Sequence, residues 1–155
     1  MALSKPIPKD ITEELFRYRL EQAEEEVKLA KRLLKEGFIR NAAGKAFQAW
    51  KELLGAYIVK HYEDLKGFYS EEKLKKLALL VPTTKMKEIS NKLAQVGERE
   101  LTAWTDKALS LHRFQYNGPD PDLALSDYRS EEEAREDIEI LIGEIERRVR
   151  ELRKG

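Results

Sequence analysis

The chain has 155 residues, with 29 basic and 29 acidic side chains, two histidines and no cysteine. That length and a 41% apolar content suit one domain with a real core, and the lack of cysteine excludes disulfide frameworks, Cys-bound zinc and thiolate nucleophiles. Zero net charge argues against a dedicated nucleic-acid binder, and with no apolar leader or membrane-length run the expectation is a cytoplasmic protein with no membrane partner.

Met1 to Asp10 reads as a short extension, with Asp10 and Glu13 as the capping box of the first helix. Phe16, Leu20, Ala23, Val27, Ala30 and Leu34 recur at spacings of four and three, the stripe of an amphipathic helix closed by Gly37. A second helix is predicted from Phe38 to somewhere between His61 and Gly67. Its run of small residues, Ala42, Ala43, Gly44, Ala46, Ala49, Gly55 and Ala56, points to close helix approach, because interior glycines otherwise cost about 1 kcal/mol each. Connections this short make neighbouring helices antiparallel.

Ser70 opens a shorter helix over Glu71 to Leu80, stopped by Pro82. A long helical pattern then runs from Thr84 to about Arg113, interrupted or weakened at Gly97. The segment from Gln115 to Arg129 is turn-rich and reads as a loop, after which Ser130 and Glu133 cap a last helix with Ala134, Ile138, Leu141, Ile145, Val149 and Leu152 on its apolar stripe. These elements predict a single all-α domain, an up-and-down bundle of four to five helices.

No dinucleotide fingerprint, Walker loop, zincin motif or EF-hand is present, and no cofactor or metal is expected. His61, Glu63 and Asp64 fit no metal-ligand template and read as helix-end residues. The Glu131 to Glu133 triplet and the Arg147 to Lys154 cluster sit where they complement a helix dipole. Between Lys73 and Lys92, six lysines stand against one acid, Glu88; Lys85 and Lys87 of this stretch are candidate phosphate contacts. His112, beside the expected loop mouth, is a candidate general acid or base. Lys107 is its candidate phosphate partner, although five residues turn it about 140° around the helix. Arg113 is a further candidate for the phosphate. Lysine and glutamate outnumber arginine and aspartate, and only seven residues are Asn or Gln, the composition of a thermophilic protein.

The run from Asn41 to His61, NAAGKAFQAWKELLGAYIVKH, resembles the second helix of HEPN-type domains, and the segment from Trp104 onward resembles their closing portion. More narrowly, the whole chain is similar to the archaeal PaREP group of multiplied paralogues, placed among HEPN relatives. The resemblance implies a fold like the HEPN and nucleotidyltransferase substrate-binding domains, homodimerisation, and work beside a nucleotidyltransferase-type partner protein or as a metal-independent ribonuclease acting on RNA. Active members carry an R-x(4 to 6)-H motif, with the arginine five to seven residues before the catalytic histidine. Here the histidine is His112 and Lys107 occupies the arginine's place, while Arg113 follows. Lysine does not reproduce arginine's planar fork. The departure points to a non-catalytic or vestigial module that binds a partner protein or a nucleotide or nucleic-acid phosphate, with a ribonuclease using His112 and Lys107 as the alternative.

Overall fold

Four long helices that alternate in direction carry the hydrophobic stripes. The computed structural model describes residues 6–155, so the first half of the expected N-terminal extension lies outside the described residues. Among those described, seven α-helices and no strand are present: α1 (Glu13–Glu36), α2 (Ile39–Lys60), α3 (Tyr62–Leu65), α4 (Glu71–Leu80), α5 (Met86–Gln95), α6 (Leu101–Asn117) and α7 (Glu131–Lys154). The all-α bundle expected from periodicity is therefore the observed fold.

α2 is the axis of the packing. It is apolar on most sides, and Phe47, Trp50, Leu53, Leu54 and Ile58 are all almost fully buried, as expected of a helix enclosed by its neighbours. Gly37, in the left-handed region at φ 87°, reverses the chain between α1 and α2, and the Phe38 N–H closes the turn on the Leu33 carbonyl at 2.8 Å. Phe47 meets His112, while Trp50 meets Thr105, so α6 runs antiparallel to α2. Lys107 meets Asp137, and Arg148 reaches the carbonyl of Arg99, so α7 runs antiparallel to α6. Arg135 bonds the Leu34 carbonyl and Arg153 pairs with Glu24, which closes the ring of four with α1. The short helices α4 and α5 pack on the flank of α2.

Both glycines inside α2 make room for side chains from neighbouring helices. A Cβ on Gly44 would lie 2.5 Å from the Gln115 carboxamide, and one on Gly55 would lie 2.7 Å from Arg19 Nε. Arg19 is buried. Its guanidinium donates to the carbonyls of Ala78 and Leu79 at 2.9 and 2.7 Å and to Glu52 at 3.0 Å, so a residue of α1 caps the C-terminus of α4.

Two boundaries differ from the sequence expectation, and one expected interruption is a full break. The N-cap of α1 is Thr12, whose hydroxyl accepts from the Leu15 N–H at 3.4 Å, rather than Asp10; Asp10 stands two residues too early to reach the first turn. The pattern from Thr84 is interrupted at Gly97 and breaks into α5 and α6, with Gly97 at φ 115° and Glu100 at φ 62° absorbing the bend. α6 then continues through Gln115 to Asn117, because Arg40 of α2 donates to the carbonyls of Gln115 and Tyr116 at 3.1 and 2.6 Å. The loop is thus shorter than expected and occupies 118–129.

Candidate functional site

His112 lies a turn and a half inside α6 rather than at its last turn. Its ring stacks on Phe47 at 4.1 Å between centroids and 23° between planes, and meets the edge of Tyr116 at 5.1 Å. Burial, followed by the nearby Lys51 charge, pushes its pKa below the ordinary histidine value. Among the described residues Nδ1 is buried without a hydrogen-bond partner. Burial thus disfavours the charged form of the imidazole, which packs against α2.

Lys107 faces a different helix. Its ammonium lies 2.8 Å from Asp137 of α7, whose other oxygen accepts from the Tyr128 hydroxyl at 2.6 Å. The Tyr128 pKa is raised by burial and by that carboxylate. Within the chain, then, His112 and Lys107 are not brought together on one surface. Arg113 is directed to the loop, where it donates to Asp127 at 2.5 Å and to Ser110 at 3.2 Å.

The loop is itself a built structure. The Asp120 carboxylate accepts from the N–H groups of Leu125 and Ser126 at 2.5 and 3.2 Å and from that of Asp122 at 3.3 Å. These bonds hold its pKa below the usual carboxylate value, with the Leu125 N–H contributing most. The side-chain amide of Asn117 donates to the Leu125 carbonyl at 3.0 Å, tying the loop to the end of α6. This scaffold leaves Tyr116 and Leu125 each 67% exposed and Leu123 44% exposed at one end of the bundle. Apolar side chains held out by ordered backbone are the raw material of an interaction surface.

The lysine stretch is divided among local partners. Lys87 lies 3.3 Å from Asp106 and Lys76 lies 3.9 Å from Glu72, while Lys73 and Lys92 sit over the rings of Tyr69 and Phe68 at 5.5 and 4.8 Å. Lys85, in a 3-10 turn over Thr83–Lys85, has no partner among the described residues. His61 Nε2 lies 2.6 Å from Glu98, which joins the end of α2 to the α5–α6 connection. Among the described residues no group of three or more His, Asp or Glu is placed to hold a metal ion, and no helix is long and apolar enough to cross a membrane.

Arg148 does more than complement the dipole of its helix end. It is buried, donating to Glu144 at 2.6 Å, the Tyr57 hydroxyl at 3.0 Å and the Arg99 carbonyl at 2.8 Å. Beside it the Trp50 indole N–H donates to Thr105 at 2.8 Å, and Thr105 shares a 2.6 Å bond with Ser90. One signal for Arg148 was present in the sequence, since it stands three after Ile145 and four before Leu152, on the apolar stripe itself. A second arrangement carried no such signal: a polar groove of about 640 Å³ where Glu26 of α1, Asn41, Lys45 and Gln48 of α2, and Gln115 of α6 converge over Gly44.

The model described as the Archaeal PaREP1/PaREP8 family matches residues 18–139. No curated protein matches the chain. No solved structure matches it either.

Proposed function

We propose that this chain, which belongs to the archaeal PaREP1/PaREP8 family, works as a non-catalytic, HEPN-like binding module. It pairs with a second copy of itself and takes a partner protein of nucleotidyltransferase type at the loop end of its bundle. The observation that carries this reading is the use made of the two candidate catalytic groups. Lys107 is tied to Asp137, and the His112 ring is flat against Phe47, so both serve packing. Binding chemistry is instead offered by Tyr116, Leu123 and Leu125, which the Asp120-centred loop presents to solvent. Light scattering on an eluting column tests it: the wild type runs as a dimer at micromolar concentration, and Leu125→Asp with Tyr116→Asp lowers the mass or abolishes partner capture. A wild type that stays strictly monomeric at millimolar concentration removes the self-pairing.

The metal-independent ribonuclease is supported by one feature, the burial of His112, which lowers its pKa and favours the uncharged imidazole a general base needs. It requires Lys107 or Arg113 to leave its carboxylate and meet a phosphate. RNA cleavage in the presence of a chelator, present in wild type and lost in His112→Ala, would favour this reading; equal cleavage by both proteins, or none, would end it.

A further inference from the structure

The groove over Gly44 has a chemistry that neither reading uses. Gly44 has no side chain, and the Gln115 carboxamide fills the space above it and forms the floor. Glu26 and Lys45 face each other from α1 and α2 with 3.6 Å between Oε2 and Nζ, longer than a hydrogen bond. Glu26 Oε2 is buried and accepts no hydrogen bond from any group among the described residues. A buried carboxylate oxygen without a donor is unfavourable, and burial pushes the Glu26 pKa up, with Lys45 opposing it. The Lys45 side chain is 42% exposed, which leaves its ammonium room to swing outward. Around this pair, the carboxamides of Asn41 and Gln48 have no partner among the described residues. The volume falls within the range of small-molecule sites, roughly 300–1,000 Å³.

We infer that this groove binds a free α-amino acid as its zwitterion, the ammonium on Glu26, the carboxylate on Lys45, and a polar side chain among the carboxamides of Asn41, Gln48 and Gln115. An ammonium supplies the donors that Glu26 Oε2 lacks, and a carboxylate accepts from Lys45 as that side chain moves outward. The two charges of the groove cancel, so it favours a ligand that is itself neutral overall but carries both charges. Each carboxamide presents a donor and an acceptor side by side, which suits amide or hydroxyl side chains better than apolar ones. The groove lies between α1, α2 and α6 of a single chain, so the inference is independent of self-pairing and of the partner protein.

The test is a calorimetric titration of the full chain with each of the twenty common amino acids, followed by the N-acetylated and the C-amidated forms of the best ligand. The expected result is binding by a polar amino acid, weakened about tenfold or more by either blocking group, as loss of one charge-assisted contact of about 1.4 kcal/mol or more requires. Lys45→Met and Glu26→Gln each weaken it similarly while circular dichroism shows the helices intact. The blocked ligands keep the question open to refutation even if a variant unfolds. No binding by any amino acid into the millimolar range, or equal binding of free and blocked forms, overturns the inference. So does unchanged affinity in folded Lys45→Met.

Discussion

Replacing Gly55 by alanine sets two opposing effects against each other. In an unobstructed helix interior, alanine is favoured over glycine by about 1 kcal/mol. At this position the added methyl would lie 2.7 Å from Arg19 Nε and 2.8 Å from its Cδ, closer than atoms can approach. Arg19 cannot simply swing aside, because it is buried and pinned by the carbonyls of Ala78 and Leu79 and by Glu52. Hydrogen bonds from a charged group contribute about 1.5–3 kcal/mol each, so loss of one or two outweighs the propensity gain and leaves Gly55→Ala destabilised by about 2 kcal/mol. In an Arg19→Ala background the obstruction is gone, and the same substitution stabilises by about 1 kcal/mol. The coupling between the two positions is then about 3 kcal/mol. Urea unfolding of the four proteins reads this as midpoint shifts of opposite sign at unchanged slope. A rise in midpoint for Gly55→Ala with Arg19 present, or equal shifts in both backgrounds, would refute the role given to Arg19.

Gly143 is the converse case: a Cβ there meets nothing within 4 Å, so Gly143→Ala raises stability by about 0.5–1 kcal/mol in the same urea assay. Thr105→Val strips the acceptor from the Trp50 indole and the partner from Ser90, costing about 1–3 kcal/mol, whereas Thr105→Ser retains most of it, as thermal melts will register. The loop is acid-labile. Asp120 is held below its ordinary 3.8 by backbone N–H groups, and Asp127 is held below it by Arg113, so their stabilisation is complete above about pH 4 and is lost as pH falls through the lowered values. Hydrogen exchange at the Leu125 and Ser126 amides, corrected for its intrinsic pH dependence, accelerates over that acidic window in the wild type. It is already fast at neutral pH in Asp120→Ala.

What the sequence by itself determined is local. Apolar spacing placed α1, α2, α4 and α7, while Ser70 and Ser130 opened helices and Gly37 ended one where expected, since caps and stripes depend on residues within a turn or two of one another. Even the Asp10 error is a shift of two residues along the same segment, settled by whichever side chain reaches the Leu15 N–H. The fate of the charged side chains was decided by tertiary structure. Lys107 stands at the spacing of a phosphate-binding partner for His112, yet its ammonium belongs to Asp137, 30 residues away; Arg40 lengthens a helix 75 residues downstream; Arg19 caps one 59 residues away. A long charged side chain chooses among whatever groups the packing of the helices brings within its reach, and periodicity carries no record of that packing. The groove over Gly44 has the same origin: three helices contribute to it, and a sequence records only the missing Cβ.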